Sequence, residues 1–346
     1  MMSAPPLRER LQRDWYLPRR TLLTAALAPL EWLFASVVAS RRWMFRRGLL
    51  RTKSLPVPVI VVGNLTVGGT GKTPLVMWLT AALVARGYRP GIVSRGYGAV
   101  DAGAATRAVH PDDDPDVCGD EPVLLAGSGV PVWIGADRGA AARALRAQHP
   151  GTDVIISDDG LQHYALGRDC EIVVVDGARG FGNGALLPAG PLREPVSRID
   201  HADAIVVNGP DAAAREWLPR TTRAFNMSLR SARFESLVDR QRFATAASFG
   251  GLRVHAVAGI GNPERFFESL RALGLAPVCH AFPDHHRFVA ADIALPDADA
   301  ILMTAKDAIK CVRFADARGW SLPVTAVVDA ALIERILEKI DGPQAA

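Results

Sequence analysis

The chain has 346 residues and a net charge of +4, with 49% hydrophobic and 22% charged residues, which is typical of a globular protein with one large or two smaller domains. Its four cysteines are scattered without a CxxC pair, which argues against a disulfide framework or a zinc site and indicates a reducing, cytosolic setting. No basic patch with interleaved aromatic residues follows the first 53 residues, which argues against a nucleic-acid partner.

Positive charge is concentrated at the start of the chain. Residues 1–53 contain eleven Lys/Arg and three acidic side chains, a net +8, so the remaining residues carry −4. Within this segment, residues 21–40 are mostly apolar and have arginines on both sides, and Trp15, Trp32 and Trp43 lie in or beside them. This combination indicates a segment that meets an apolar partner or a membrane.

Three structural interpretations of residues 21–40 are considered. A membrane-spanning helix would be long enough, but Glu31 near its middle costs about 2.5–3.5 kcal/mol and arginines at both ends give no orientation. An ordinary core-packing helix is the second alternative, and a signal peptide is disfavoured because no cleavage site precedes further arginines. The favoured prediction is an interfacial basic amphipathic helix, with tryptophans at the membrane surface and arginines on anionic headgroups.

A phosphate-binding loop follows the basic segment. Residues 56–62 form a β-branched run that predicts a buried strand, residues 63–73 are rich in glycine and end in Gly-Lys-Thr, and Pro74 opens an amphipathic helix. Strand, loop and helix in this order are a Walker A motif, which binds ATP with Mg²⁺. The predicted nucleotide-binding residues are Thr66, Gly68, Gly69, Thr70, Gly71, Lys72 and Thr73.

The chemistry of phosphate and Mg²⁺ binding explains why these residue types occur in the loop. Glycines let backbone N–H groups surround phosphate oxygens, Lys72 reaches the β- and γ-phosphates, and the Thr73 hydroxyl is a Mg²⁺ ligand. Thr66 occupies the position where the motif usually has its first glycine. The turn must therefore depend on another residue, with Gly63 and Gly68 as the candidates.

A second buried strand, residues 152–156, ends in an acidic sequence that includes Asp158 and Asp159. Carboxylates at the carboxyl end of a parallel strand lie over the nucleotide crevice, so the two aspartates are predicted Mg²⁺ ligands, with the choice between them open. A polar loop in which an aspartate caps the next turn is the alternative. Further strands alternate with helical stretches, which predicts an α/β fold: a P-loop parallel sheet flanked by helices.

A kinase also needs a group that accepts the proton of the acceptor hydroxyl. Asp120 and Glu121, between Gly119 and Pro122, are one candidate, although they are equally suited to begin a helix. The Asp-His-His sequence at 284–286 is the other, although it also fits a solvated turn. An aspartate hydrogen-bonded to a histidine gains orientation and a shifted proton affinity.

Taken together, these motifs resemble the tetraacyldisaccharide 4′-kinases, the lipid A 4′-kinases of Gram-negative bacteria. The resemblance spans nearly the whole chain. It rests on GNLTVGGTGKTP (63–74), SRGYG (94–98), GDEP (119–122), DDGLQH (158–163), LPAGPLREP (187–195), AGIGNPERFF (258–267), FPDHHRF (282–288) and TAKDAIK (304–310).

The resemblance implies transfer of the γ-phosphate of ATP to the 4′-hydroxyl of tetraacyldisaccharide 1-phosphate, forming lipid IVA in lipid A biosynthesis. It implies that Asp120 is the catalytic carboxylate and His285 its partner. The substrate residues that the resemblance implies are Arg95, Gln162, His163 and Arg193, and Arg138 also lies near a family motif. One departure is Ala305, where the family more often has Glu, so this chain lacks that carboxylate.

An acylated substrate stays in the bilayer, so the resemblance also implies a peripheral or monotopic enzyme at the cytoplasmic face of the bacterial inner membrane. The predicted division of the chain is an interfacial segment (1–53), a P-loop kinase core (54–221), a two-stranded β linker (222–250) and a smaller C-terminal α/β domain (251–346). In this plan the C-terminal domain supplies His285, and hinge closure assembles the catalytic pair.

Two other classes of protein share some of these features. A membrane-associated switch or partition-type ATPase would have the same phosphate loop, but would hydrolyse ATP through a protein partner and would have no acceptor. A membrane adaptor with a vestigial nucleotide site is the third class, which the intact Lys72 and Asp158 argue against.

Overall fold

The computed structural model describes residues 7–96, 106–210, 214, 216–218, 224–231, 233–239 and 241–342. By its internal contacts the chain divides into two compact units. The first unit comprises Met1–Lys72, Asp153–Ser228 and Val328–Ala346, and the second comprises Thr73–Thr152 and Leu229–Val327. These units are interleaved along the sequence and do not follow the linear four-part division, which stays a prediction.

The first unit is built on five parallel strands: β1 (Val59–Gly63), β5 (Val154–Asp158), β6 (Cys170–Asp176), β7 (Ala204–Asn208) and β8 (Ala224–Arg230). Their order in the sheet is β8-β7-β6-β1-β5. Every residue of the first four is buried, as expected for parallel strands covered on both faces. Register places Val62, one residue before the loop, opposite Asp158.

The second unit contains two groups of strands. In the smaller group β2 (Pro90–Ser94) pairs in parallel with β4 (Val132–Ile134), which pairs antiparallel with β3 (Arg107–Val109). The larger group is a six-stranded sheet in the order β10-β9-β14-β13-β11-β12. Its strands are β9 (Phe234–Ser236), β10 (Phe243–Ala244), β11 (Val254–Ala258), β12 (Val278–Ala281), β13 (Ala300–Thr304) and β14 (Gly319–Leu322). The last strand of the chain, β15 (Thr325–Val328), is not part of this sheet.

The stretch predicted as a two-stranded linker divides between the two units. β8 extends the parallel sheet of the first unit, whereas β9 and β10 pair antiparallel at one end of the six-stranded sheet of the second. The alternating burial along β8 explains why the sequence pattern fits either role.

Helices connect these strands. They are α1 (Leu7–Asp14), α2 (Leu22–Ala26), α3 (Ala28–Arg46), α4 (Lys72–Val84), α5 (Pro115–Cys118), α6 (Asp120–Ala126), α7 (Arg138–Gln148), α8 (Pro263–Ala272), α9 (Ala290–Ile293), α10 (Ala305–Cys311) and α11 (Ala331–Ile340). None of the helices in the described ranges is both long enough and apolar enough to cross a membrane.

Helix α3 has two different faces. Glu31 is 8% exposed and points into the first unit, where it binds the Arg20 guanidinium at 2.9 Å and accepts a hydrogen bond from the Leu186 backbone N–H at 3.0 Å. Trp32 and Leu33, by contrast, are 68% and 63% exposed. The one carboxylate of this helix is therefore held by the protein, and the outward face keeps its apolar side chains.

Candidate active site

The phosphate loop joins β1 to α4, and two glycines set its course. Gly68 and Gly71 have φ of +98° and +94°, the left-handed conformation that glycine adopts without steric cost. Gly63 serves differently, because a Cβ there would lie 2.6 Å from the Leu161 Cβ. Gly68 thus provides the left-handed turn in a loop where Thr66 replaces the usual first glycine, and Gly63 permits close packing.

Two asparagines hold this loop, and sequence reasoning assigned no role to either of them. Asn64 donates to the Thr66 carbonyl oxygen at 2.8 Å, and its Oδ1 accepts from Lys72 Nζ at 3.1 Å. Asn208 donates to the Thr70 carbonyl oxygen at 3.0 Å. Each asparagine lies at or just after the carboxyl end of a buried strand, β1 or β7, and that position beside a Walker A motif is the signal that could have identified them.

Asp158 and Asp159 have different surroundings. Asp158 is the last residue of β5 and is fully buried. Asp159 has φ of +45°, and its carboxylate accepts two hydrogen bonds from the Arg193 guanidinium, each 3.0 Å long. Lys72 Nζ lies 3.7 Å from the same carboxylate. Lys72, Asp159 and Arg193 therefore form one charged cluster beside the phosphate loop.

The segment after these aspartates is also close to the loop. Gln162 donates from Nε2 to the Asn64 carbonyl oxygen at 3.2 Å. The His163 carbonyl oxygen accepts from the Arg168 guanidinium at 2.6 Å, and Arg168 also donates to the Leu161 carbonyl oxygen at 3.0 Å. Arg168 thus fixes the backbone that presents Gln162 and His163, a role that sequence reasoning missed.

In the second unit the structure brings Asp120 and His285 together across 165 residues of sequence. His285 Nδ1 lies 3.1 Å from Asp120 Oδ2. Asp120 is the first residue of α6, after Gly119 with φ of +88°, and it is 6% exposed. His285 has φ of +60°, so its backbone is held in a sparsely populated region. Both residues belong to the second unit, and the hinge closure that the linear plan includes stays a prediction.

The neighbouring histidine has another partner. His286 Nε2 lies 3.0 Å from Asp292 Oδ2, and the His286 ring stacks on Phe282 with centroids 4.6 Å apart. The sequence could distinguish His285 from His286 only by family resemblance. The geometry distinguishes them directly, because His285 is the one that contacts Asp120.

Two lysines of α10 surround the Asp120 carboxylate. Lys306 Nζ and Lys310 Nζ each lie 3.8 Å from Asp120 Oδ2. Lys306 also binds Glu121 at 3.1 Å, and Lys310 binds the fully buried Asp307 at 2.8 Å. Ala305 begins the same helix, so the departure from the family motif lies directly before Lys306.

These contacts shift proton affinities. Burial opposes ionisation of Asp120, but the His285 hydrogen bond and the two lysines lower its pKa below the usual value of 3.8. The hydrogen bond to Asp120 raises the pKa of His285 above 6.5, although burial and Lys306 oppose the increase. Asp120 is therefore a carboxylate at neutral pH, and His285 is protonated more readily than a free histidine.

Other predicted residues lie near the ends of elements. Arg95 is exposed and directly follows β2, whereas the next part of its motif, Tyr97-Gly98, lies outside the described residues. Arg138 begins α7 and is buried. Thr73 is the second residue of α4. The first unit thus contains the phosphate loop as far as Lys72, together with Asp158, Asp159, Gln162, His163 and Arg193. The second unit contains Thr73, Arg95, Asp120, Arg138 and His285.

Comparison with known proteins gives a consistent result. A family model described as tetraacyldisaccharide-1-P 4′-kinase matches residues 23–341. A tetraacyldisaccharide 4′-kinase of Chromobacterium violaceum is 51% identical over 336 residues, which cover 95% of this chain and 97% of the relative. One from Azoarcus sp. is 52% identical over 316 residues, which cover 91% of each chain.

A solved structure agrees as well. The crystal structure of LpxK from Aquifex aeolicus in complex with ATP matches with a TM-score of 0.78 at 30% sequence identity, covering 92% of this chain and all of the other. These similarities confirm the resemblance that the motifs indicated, and they confirm the predicted α/β fold with a large parallel sheet flanked by helices.

Proposed function

Because the chain belongs to the tetraacyldisaccharide-1-P 4′-kinase family, we propose that it transfers the γ-phosphate of ATP to the 4′-hydroxyl of tetraacyldisaccharide 1-phosphate, forming lipid IVA. The observation that carries this proposal is the contact of the buried Asp120 carboxylate with His285, in a chain that also has a complete phosphate loop. A switch ATPase requires the loop but has no use for a carboxylate held ready for an acceptor hydroxyl.

The phosphate loop holds the triphosphate. Its backbone N–H groups surround the phosphates, and Lys72 exchanges its contacts with Asn64 and Asp159 for the β- and γ-phosphates. The charged cluster of Lys72, Asp159 and Arg193 supports this role, because it keeps the lysine oriented before the nucleotide arrives.

Magnesium, bound with ATP, neutralises phosphate charge. The hydroxyl of Thr73 and the carboxylate of Asp158 are hard oxygen donors that fit this ion, which is usually held by one or two carboxylates together with phosphate. We assign the metal to Asp158 rather than Asp159, since both Asp159 oxygens accept from Arg193. Asp158→Asn should therefore raise the Mg²⁺ concentration for half-maximal transfer more than Asp159→Asn does, and the reverse order would contradict this assignment.

Asp120 receives the proton of the attacking hydroxyl. Its lowered pKa keeps it ionised at neutral pH, so it orients the O–H group toward the γ-phosphate. It takes the proton as the new bond to phosphorus forms and the bond between the γ-phosphorus and the leaving ADP breaks. His285 holds the carboxylate through Nδ1, and Lys306 and Lys310 stabilise its charge.

Four polar side chains are assigned to the acceptor lipid. Gln162 and His163 lie on the segment beside the phosphate loop, and Arg193 lies within the charged cluster. Arg95, exposed after β2, is the fourth. Arginine guanidinium groups bind phosphate in a fork, which suits a substrate that carries a 1-phosphate.

The lipid substrate places the enzyme at a membrane surface. We assign the exposed apolar face of α3 to the cytoplasmic face of the bacterial inner membrane, in a peripheral arrangement. Glu31 is held inside the protein, so it does not oppose insertion of Trp32 and Leu33 at the interface.

A labelling experiment tests the function. Detergent-solubilised protein is incubated with γ-labelled ATP, Mg²⁺ and tetraacyldisaccharide 1-phosphate, and label is measured in lipid and in free phosphate. Lys72→Met should abolish labelling, whereas Lys339→Met, at a half-exposed lysine that pairs with Asp203, should not. Free phosphate without labelled lipid would overturn the proposal in favour of a switch ATPase.

A further inference from the structure

A groove lies along the carboxyl-terminal half of α3, outside the candidate active site. It has a volume of about 660 Å³ and lies between this helix and the short 3₁₀-helix Val196–His201. Its lining residues are Ala39, Arg42, Trp43, Arg46, Arg47, Ser197, Asp200 and His201, all in the first unit. None of them belongs to the phosphate loop or to the substrate residues assigned above.

The groove is strongly cationic. Three guanidinium groups line it against the single carboxylate of Asp200, which gives a net charge of +2 with His201 neutral. Hydroxyl and imidazole groups of Ser197 and His201 add further hydrogen-bonding groups on the opposite wall. This set of groups suits a phosphate, whose oxygens accept several hydrogen bonds from guanidinium groups at once.

Two of the arginines are positioned by the protein. Arg42 is 17% exposed and lies 3.8 Å from the buried carboxylate of Glu194, which holds it from behind. The Arg47 guanidinium lies over the Trp43 ring, 5.9 Å from its centroid. Because part of their side-chain freedom is already lost, binding an anion costs less entropy here than at unrestrained surface arginines.

The groove borders an apolar face. Trp32, Leu33, Val37 and Trp43 are each more than half exposed on α3. Tryptophan prefers the depth of the lipid headgroups, so an anion in the groove would lie at the depth of the headgroup phosphates when this face meets a bilayer. A free anion would require only the guanidinium groups, whereas a lipid also accounts for the apolar border.

We propose that this groove binds the phosphate of an anionic phospholipid headgroup, separately from the acylated sugar substrate. The inference rests on the proposed membrane location and not on the kinase reaction. Arg42, Arg46 and Arg47 can reach one headgroup only when the apolar face of α3 points into the bilayer. Binding in the groove therefore attaches the protein to the membrane and also determines the rotation of α3 about its own axis.

The test measures binding of the full chain, without ATP or substrate, to vesicles of phosphatidylcholine with and without 30% phosphatidylglycerol. The Arg46→Gln/Arg47→Gln variant should bind the anionic vesicles at least tenfold more weakly than the unmodified chain. The matched control, Arg10→Gln/Arg13→Gln on α1, removes the same charge and should lose less than threefold. Equal losses in both variants would overturn the groove in favour of diffuse surface electrostatics.

Two further measurements separate a built site from simple charge. Arg46→Lys/Arg47→Lys keeps the charge but removes the guanidinium fork, and it should still lose at least threefold; full retention would contradict the proposal. Inorganic phosphate should bind the groove at least tenfold more weakly than dihexanoyl phosphatidylglycerol, and equal binding would indicate an anion site instead of a lipid site. Because no transfer is measured, failure here leaves the labelling experiment on the kinase reaction unaffected.

Discussion

His285 and His286 are adjacent in the chain, and each lies about 3 Å from an aspartate, yet the two pairs differ in their surroundings. Asp120 has a 6% exposed side chain with two lysines 3.8 Å away, whereas the Asp292 side chain is 21% exposed and also accepts a hydrogen bond from the Val289 backbone N–H. The buried Asp120 carboxylate is stabilised by the positive charges of Lys306 and Lys310. The His286–Asp292 pair, by contrast, completes a local turn. The same two residue types thus form the proposed catalytic pair in one place and a local structural pair in the other.

The largest stability effect is expected at the lysines that surround the first pair. Lys310→Met leaves the fully buried Asp307 without its ion-pair partner, and breaking a buried pair from one side costs about 3–5 kcal/mol. Urea unfolding measures the change. Lys339→Met removes a half-exposed lysine from the Asp203 pair and should cost at most about 1 kcal/mol. Equal losses would mean that burial does not distinguish the surroundings of Asp120.

The next effect concerns His285, the histidine that contacts the proposed base. His285→Gln should reduce the transfer rate by up to about 10²-fold, because misplacing a catalytic group by about 1 Å has effects of that size. The loss should appear in kcat more than in the KM for ATP, since His285 contacts Asp120 and no residue of the phosphate loop. A loss confined to the KM for ATP would instead indicate a role in nucleotide binding.

The pair should also make stability depend on pH. Asp120 has a lowered pKa, so its contribution is present above the usual value of 3.8 and is lost as pH falls through the lowered pKa. His285 has a raised pKa, so its contribution is complete below 6.5 and is lost as pH rises through the raised value. The difference in unfolding free energy between the unmodified chain and His285→Gln should therefore be largest between pH 4 and 6.5 and should shrink at pH 8. A difference that grows toward pH 8 would contradict these shifts.

The smallest effect is expected at the second histidine. His286→Gln removes a partly exposed contact with Asp292 and a stacking contact with Phe282, so it should cost about 1 kcal/mol of stability and change kcat less than threefold. Urea unfolding and the labelling assay measure the two quantities. A loss of kcat comparable with that of His285→Gln would remove the distinction between the two pairs.

The sequence predicted local features well because their determinants are contiguous. The phosphate loop follows from residues 63–73 alone, and its strand and helix lie where the pattern requires. Thr66 left the turn unresolved between Gly63 and Gly68, because a pattern of residue types contains no φ angles. The structure assigns the left-handed conformation to Gly68 and a packing role to Gly63.

Features that depend on residues far apart in the chain were harder to predict from the sequence. The Asp120–His285 contact joins two parts of the chain separated by 165 residues, and only the family resemblance pointed to it. Glu31 is a second example, because its charge counted against membrane insertion until the structure placed it against Arg20 and the Leu186 backbone. In both cases the tertiary environment decides which side chains a carboxylate meets, and periodicity along one segment carries no such information.

The most direct test of the account compares Asp120→Asn with Asp292→Asn in a single-turnover transfer from γ-labelled ATP to tetraacyldisaccharide 1-phosphate, with the ATP dissociation constant measured for each. Asparagine keeps the shape of the side chain and removes the proton acceptor. The account predicts that Asp120→Asn slows transfer by about 10²–10⁴-fold while its ATP affinity stays within threefold, and that Asp292→Asn transfers at nearly the unmodified rate. Equal rates in the two variants would contradict the claim that the buried Asp120 carboxylate is the proton acceptor.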